Sequence, residues 1–132
     1  MWTGNVVSRD SLESSHQLSD RLIIKSSGRV IFVPVDEINW IEASANYVRL
    51  HLAGGNSHLC RRPISKIAEQ LDSSRFLRIH RSFIVNVSRI RELQPCNSGE
   101  FIVLLRDGKE LPCSRSHRHA LRAIFSWASR HD

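Results

Sequence analysis

The sequence predicts a mainly β domain that contains two short helices. Apolar residues occur in many short runs, and turns rich in Gly, Pro, Asn and Ser separate these runs, which is typical of short strands. After Pro63 and after Ser114 the apolar residues instead recur at helical spacing. A chain of 132 residues suffices for one such domain with a modest core.

The first residues are polar and rich in Ser and Asp, so residues 1–20 are expected to form a flexible leader or the end of a linker. Val6 and Leu12 would allow a short packing helix within this segment. The folded domain is predicted to occupy residues 21–128.

Residues 22–25 and 30–33 predict a hairpin, because Gly28 lies between two β-branched runs and supplies the positive φ that a tight turn needs. A meander of short strands follows. Its strands are predicted at residues 39–43, 47–52 and 57–60. The turn at 44–46 contains Asn46, which would either donate to a partner or serve as a residue that tolerates left-handed φ.

Pro63 is predicted to open the first helix, since its missing N–H would be unpaired there in any case. Ser114 is expected to cap the second helix. Each helix would bury one apolar face. These faces comprise Ile64, Ile67, Ala68 and Leu71 in the first helix, and Leu121, Ile124, Phe125 and Ala128 in the second. Pro112 cannot donate a ladder hydrogen bond, so the last strand should lie at a sheet edge.

The stretch from Phe76 to Ile90 predicts two strands around a polar tip at residues 80–82. Residues 73–91 contain no acid. Their cations are Arg75, Arg78, Arg81, Arg89 and Arg91. Held cations without neutralising neighbours suit an anionic partner, although a solvated strand face would have the same composition. Residues 114–118 form a second basic segment, at the start of the predicted final helix.

The overall charge also favours an anionic partner, because the chain carries +6 at pH 7 with a pI of about 10.0. Its cations are mostly Arg, which matches phosphate and the guanine edge with paired donors. Nucleic acid is therefore the first candidate. No apolar run is long enough to cross a bilayer and the first residues lack a secretory signal, so we expect a cytoplasmic protein without a membrane partner.

Cofactor and metal chemistry are not indicated. The three cysteines are odd in number and widely spaced, which disfavours disulfides and structural zinc. His117 and His119 are two residues apart, so they would point in different directions on a helix. An enzyme is not expected either, since the basic segments lack clustered carboxylates and Cys113, although near His117, is predicted to be a core residue.

Three motifs in this order resemble the LytTR DNA-binding domain of bacterial response regulators, the effectors of two-component systems. They are INWIEASANYV at residues 38–48, FLRIHRSFIVN at 76–86 and LPCSR at 111–115. The similarity covers roughly residues 21–125. It implies an elongated arrangement of small, mostly antiparallel sheets. It also implies that loops between strands hold double-stranded DNA and read successive major grooves.

The resemblance further implies which residues read bases. These would be Asn46 or Tyr47, Arg81, and Arg115 or Ser116. We expect other basic and polar side chains to contact phosphate without specifying sequence. The phosphate candidates are Arg49, Arg61, Arg62, Arg78, His80, Arg89, Ser114 and Arg118.

The family suggests binding to direct repeats and a dimer on DNA. The chain would act either as the effector of a receiver or sensor domain, or through another sensing route. The alternative function is an RNA-binding or nonspecific nucleic-acid-binding β module, which would offer exposed aromatic rings for stacking. Trp40, Phe83 and Phe101 are expected to be buried, which leaves Tyr47 as the candidate stacking residue.

Overall fold

The computed structural model describes residues 17–18 and 20–131. The short helix considered around Val6 and Leu12 lies outside these residues. Eleven strands are present in the described part of the chain. They are β1 Gln17–Leu18, β2 Arg21–Ser26, β3 Arg29–Pro34, β4 Ile38–Ser44, β5 Tyr47–Leu52, β6 Ser57–Cys60, β7 Phe76–His80, β8 Phe83–Asn86, β9 Ile90–Pro95, β10 Phe101–Leu105 and β11 Glu110–Cys113. The two α-helices of this part are α1 Ile64–Gln70 and α2 His119–Arg130.

The strands form three small antiparallel sheets, which confirms the predicted fold class. The central sheet has the order β6-β5-β4-β8-β7, and the two others have the orders β1-β2-β3 and β11-β10-β9. The meander is therefore present, and the strands around the polar tip extend it on the other side of β4. Strand β11 lies at an edge, as Pro112 required.

The central sheet separates two apolar cores. On one face Ile41 packs in a cluster with Val33 of the hairpin and Ile67 of α1. On the other face Trp40 packs in a cluster with Val103 of the third sheet and Leu121 of α2. Full burial of such a side chain contributes about 1.5–3 kcal/mol, so the two cores together fix the strands between them.

A β-bulge at Asn39 explains how neighbouring residues of β4 reach both cores. Ile38 pairs with Leu52 while Trp40 pairs with His51, so Asn39 is an extra residue on β4. Regular alternation would place Ile38 and Trp40 on one face. The bulge instead puts Ile38 with Ile41 in the first core and Trp40 in the second.

The prediction for α1 is confirmed, because the helix follows Pro63 and buries Ile64 and Ile67. The prediction that Ser114 caps the second helix is wrong. A 3-10 turn at Arg115–His117 intervenes, α2 begins at His119, and the Ser114 hydroxyl instead contacts His117 Nδ1 at 2.9 Å. In the described part of the chain, no helix combines the length and the apolar character needed to span a bilayer.

The apolar face predicted for α2 is only partly packed. Leu121 is fully buried, but Ile124 and Phe125 are 44% and 37% exposed. The helix therefore contacts the second core through Leu121 in its first turn and through the Phe125 ring, whose centre lies 5.8 Å from that of Phe101.

Candidate nucleic-acid interface

Two backbone hydrogen bonds join three polar segments at one end of the central sheet. Ala43 N donates to Ser82 O at 2.8 Å, and Ser114 N donates to Ile79 O at 2.9 Å. The turn after β4, the tip between β7 and β8, and the segment after β11 are thus held side by side. We call these segments, residues 44–47, 80–82 and 114–118, the loop end.

The turn at residues 44–47 is tight. Ala45 has φ of 55°, whereas Asn46 does not adopt left-handed φ. The interpretation of Asn46 as the left-handed residue of this turn is therefore wrong, and its exposed amide is not explained by the backbone. Tyr47 is half-buried, and its hydroxyl accepts a hydrogen bond from Arg61 Nη2 at 2.6 Å.

The tip at residues 80–82 is held by Arg78. Its Nε donates to His80 O at 3.0 Å and its Nη2 donates to Arg81 O at 2.6 Å. His80 Nδ1 accepts from Ser82 N at 3.0 Å. These bonds satisfy the tip backbone, so its conformation is fixed while the Arg81 side chain stays exposed.

The segment after β11 is fixed in a similar way. Arg118 Nη1 donates to Gly99 O at 3.1 Å, and Ser116 Oγ lies 3.2 Å from His117 Nδ1. Arg115 is exposed between these residues. The segment is therefore a braced turn that presents one guanidinium group.

Three of the base-reading candidates have free side chains. Within the residues that the structure describes, the side chains of Asn46, Arg81 and Arg115 are exposed and take part in no hydrogen bond or ion pair. Tyr47 and Ser116 are engaged with neighbours. Each segment of the loop end thus contributes at least one unengaged polar side chain.

Seven of the eight phosphate candidates divide into three groups. Arg49 and Arg61 are exposed at the surface of the central sheet, where they contact Ser57 and Tyr47. Arg62, Arg78 and Arg118 are half-buried and contact Gln70 or backbone carbonyls. Ser114 and His80 lie in the loop end and stabilise its turns.

Arg89 is the candidate that does not lie with the others. Its Nη2 donates to Asp36 O at 2.6 Å, and Arg106 N donates to its carbonyl. Asn86 lies at the same end of the sheet, because its Nδ2 donates at 2.8 Å to the carbonyl of Ile38, the first residue of β4. Arg89 therefore lies at the end of β4 opposite the loop end.

The loop end is built from stretches of sequence without acids. No Asp or Glu occurs in residues 43–68, 73–91 or 111–131. Glu42, which precedes the first of these, is paired with His51 Nε2 at 3.0 Å. Positive charge at this surface is therefore little offset by neighbouring carboxylates.

His117 lies among these cations, although from sequence it was weighed only as a metal ligand and as a possible base beside Cys113. Burial lowers the pKa of His117, and the positive charges of Arg78, His80 and His119 lower it further. Its position within the basic segment 114–118 was the signal that could have identified it. In the described residues, no group of three or more His, Cys, Asp or Glu is arranged to hold a metal ion.

Cys113 lies below this segment in the second core. Burial raises the pKa of its thiol to about 11, and the negative charge of Glu100 adds to the shift. The thiol therefore stays protonated near neutral pH and is a poor nucleophile. This agrees with the prediction that Cys113 is a core residue.

Residues 28–126 match the family model of the LytTr DNA-binding domain. The chain is 26% identical over 122 residues to the sensory transduction protein LytT of Bacillus subtilis, covering 90% of this chain and 50% of LytT. It is 31% identical over 108 residues to the transcriptional regulatory protein YpdB of Escherichia coli K12, covering 81% and 44%. It is also 31% identical over 96 residues to the CO-responsive transcriptional regulator RcoM of Rhodospirillum rubrum, covering 72% and 40%.

The fold is also similar to a solved structure. This is the LytTr DNA-binding domain of a putative methyl-accepting/DNA response regulator from Bacillus cereus, with a TM-score of 0.71 and 23% identity. The match covers 82% of this chain and 98% of that one. The chain spans half or less of the length of LytT, YpdB and RcoM.

Proposed function

The chain belongs to the LytTr DNA-binding domain family, and from this premise we propose that it is a sequence-specific transcriptional regulator that binds double-stranded DNA. Residues 21–128 would form the DNA-binding domain and residues 1–20 a leader or linker. The observation that carries the proposal is the joining of three polar segments, each with at least one unengaged side chain, by the two backbone hydrogen bonds of Ala43 and Ser114.

The base-reading step uses the side chains that are free. Arg81 and Arg115 would each donate two parallel hydrogen bonds to O6 and N7 of guanine, which is the commonest specific contact in the major groove. Asn46 would pair in the same manner with N6 and N7 of adenine. The braced backbone beneath these side chains lowers the entropy lost on binding, because only the side chains must be ordered. Tyr47 and Ser116 would support these contacts from adjacent positions.

Phosphate contacts would fix the register of the domain on the duplex. Arg49 and Arg61 are exposed and could exchange their present partners for phosphate oxygens, while Ser114 and His80 lie next to the reading side chains. If about six phosphates are neutralised, the logarithm of the affinity should fall against the logarithm of the salt concentration with a slope of about minus five.

The alternative of a single-strand or RNA-binding module finds less support. Such modules stack bases on exposed aromatic rings. Tyr47 has the Arg61 guanidinium 5.1 Å from its ring centre, and the exposed Phe32 and Trp127 lie on β3 and α2, outside the loop end. The duplex therefore remains the preferred ligand.

The assembly around this domain is also part of the proposal. Since the chain spans half or less of LytT and YpdB, we infer that a receiver or sensor domain controls the DNA-binding unit. Two copies would bind direct repeats in the bacterial cytoplasm, where the chromosome is accessible.

The proposal is tested by selecting bound duplexes from a random pool and then measuring affinities for the selected and for a scrambled duplex. Arg81→Ala should cost about 1–3 kcal/mol on the selected duplex and little on the scrambled one, because a lost base contact affects only the correct sequence. Single-stranded DNA and RNA are included as competitors.

Arg106→Ala is the matched control, since Arg106 is exposed and its N donates to Arg89 O, at the end of the central sheet opposite the loop end. It should leave both affinities nearly unchanged. An equal loss on both duplexes for Arg81→Ala would remove Arg81 from the reading role. Failure of the pool to converge on any sequence would contradict sequence-specific binding.

A further inference from the structure

A cleft lies at the end of the central sheet opposite the loop end. It has two adjoining lobes of about 240 and 360 Å³, and Asn39, Gly54 and Asp107 line both. The lobes are bounded by the start of β4, the turn after β5 and the turn between β10 and β11. We call this region the cleft end. Its combined size is in the range of sites that bind small molecules.

Asn39 is the first sign that this cleft is built for a ligand. It is the bulged residue of β4, and bulges redirect side chains. Asn39 is only 8% exposed, yet its Oδ1 has no hydrogen-bond partner among the residues that the structure describes. A buried acceptor without a donor is unfavourable, so native proteins rarely keep one without a reason. Rotation about the soft terminal torsion of the side chain would turn this oxygen towards the cleft.

Arg89 supplies a complementary donor. Its Nη2 donates to Asp36 O, but its buried Nε has no partner within the described part of the chain. Asn39 Oδ1 and Arg89 Nε are the two buried side-chain atoms left unpaired among the described residues, and both belong to residues that line the smaller lobe. One acceptor and one donor are therefore unpaired in residues that line the smaller lobe.

Two charged side chains extend this pattern to the mouth of the smaller lobe. Arg106 and Asp107 are both exposed and both line it. The lobe thus offers Asn39 and Asp107 as acceptors, and Arg89 and Arg106 as donors. A ligand with an ammonium group next to a carboxylate would match both pairs.

The larger lobe has a different wall. Trp40 and His51 stack with ring centres 3.8 Å apart, and Leu52 lies beside them. The opposite wall is the backbone of Gly54 and Gly55, which have φ of 87° and 92° and carry no side chain into the space. Because Lys109 Nζ also lies over the Trp40 ring, 4.9 Å from its centre, the lobe offers Leu52 and the edge of Trp40 to an apolar group.

We propose that the cleft end binds an α-amino acid with an apolar side chain. The ammonium group would donate to Asn39 Oδ1 and Asp107, and the carboxylate would accept from Arg89 and Arg106. The side chain would occupy the larger lobe against Trp40 and Leu52. This site is separate from the loop end and does not depend on DNA binding.

The experiment is a titration of the full chain, without DNA, followed by heteronuclear NMR of backbone and side-chain amides. L-leucine and L-phenylalanine are the probes. For leucine, 4-methylpentanoate keeps the carboxylate alone and 3-methylbutylamine keeps the amine alone. The expected result is saturable shifts at Gly54, Gly55 and the Asn39 side-chain amide, with affinity at least about tenfold higher for an amino acid than for either analogue.

Variants separate ligand binding from a structural role. Asn39→Leu should weaken amino-acid binding at least about tenfold while leaving the thermal midpoint of the free protein unchanged or higher, because it removes an unpaired buried oxygen. Arg106→Ala, at an exposed position, should weaken binding without affecting folding. Asn97→Leu in the exposed loop after β9 is the control and should bind as the parent protein does.

The proposal is overturned if neither amino acid produces saturable shifts at the cleft end. It is also overturned if the carboxylate or the amine analogue binds as tightly as leucine. Unchanged affinity in both Asn39→Leu and Arg106→Ala would likewise remove these residues from the site.

Discussion

The two ends of the central sheet are formed by the same strands but differ in where their unpaired polar groups lie. At the loop end, the backbone is fully braced by Arg78, Arg118 and neighbouring strands, and the free polar side chains face solvent. At the cleft end, the unpaired polar atoms of Asn39 and Arg89 are buried. The first arrangement suits a large, flat partner that approaches from outside. The second suits a small molecule that enters the protein.

The two ends also differ in their content of acidic residues. The loop end comes from stretches without acids, whereas Asp36 and Asp107 lie at or near the cleft end. Asp36 is paired with Arg75 and its carbonyl with Arg89. A polyanion would therefore be attracted to the loop end and would meet carboxylates at the other.

The largest expected effect concerns the core that joins the two ends. Ile41 lies in β4 between Asn39 and the turn at residues 44–47, and it is fully buried. Ile41→Ala should lower the free energy of unfolding by about 2–5 kcal/mol, because it removes buried methyl groups and leaves a cavity. Chemical denaturation measures this change.

The matched control for that change is Ile124→Ala on α2, where the side chain is 44% exposed. It should cost less than about 1 kcal/mol. If Ile41→Ala disordered the cleft end and left the loop end intact, the two ends would not share one cooperative core.

An intermediate effect is expected for Arg78, whose hydrogen bonds hold the tip at residues 80–82. Arg78→Ala removes two hydrogen bonds to the carbonyls of His80 and Arg81, so affinity should fall by about 1–2 kcal/mol on selected and scrambled duplexes alike. Hydrogen exchange at Ser82 N should become faster. Arg78→Lys should not restore binding, since an ammonium group lacks the planar fork that reaches both carbonyls. Full affinity in Arg78→Lys would mean that charge alone matters at this position.

The smallest expected effect is the pH dependence of binding. The pKa of His117 is lowered by burial and by Arg78, His80 and His119, so the unfolded chain binds a proton more readily than the folded one. The free energy of unfolding should therefore decrease as the pH falls below the ordinary pKa of histidine. The decrease ends once the pH is below the lowered pKa of His117 in the folded protein. Nearby phosphates would favour the charged form, so DNA affinity should rise as pH falls through the same window, by up to about threefold.

His117→Ala should abolish that rise, whereas His58→Ala, on β6, should keep it. Affinities at fixed ionic strength across the window test this. A rise of the same size in His117→Ala would assign the proton uptake to another group.

The fold class was accessible from sequence because short alternating runs and turn residues determine strands locally. The hairpin, the meander, α1 and the edge position of Pro112 all follow from that pattern. The failure at Ser114 has a tertiary cause. The Ser114 N–H donates a hydrogen bond to Ile79 O, which extends the strand region, so the helix begins only at His119.

The candidate site was predictable only in part. The basic segments and the motifs pointed to Asn46, Arg81 and Arg115, but periodicity cannot tell a free arginine from one that braces a loop. Arg78 and Arg89 illustrate this, since one holds the tip and the other contacts Asp36 at the opposite end. The cleft end was not predictable, because it depends on a bulge at Asn39 and on a turn that is distant in sequence.

The measurement that tests the account most directly is NMR mapping of the full chain with its selected duplex. We predict that amide shifts concentrate at residues 44–47, 80–82 and 114–118 and that Asn39, Gly54 and Asp107 are unaffected. Shifts centred on the cleft end or on α2, with residues 80–82 unchanged, would contradict the assignment of the loop end as the DNA-binding surface.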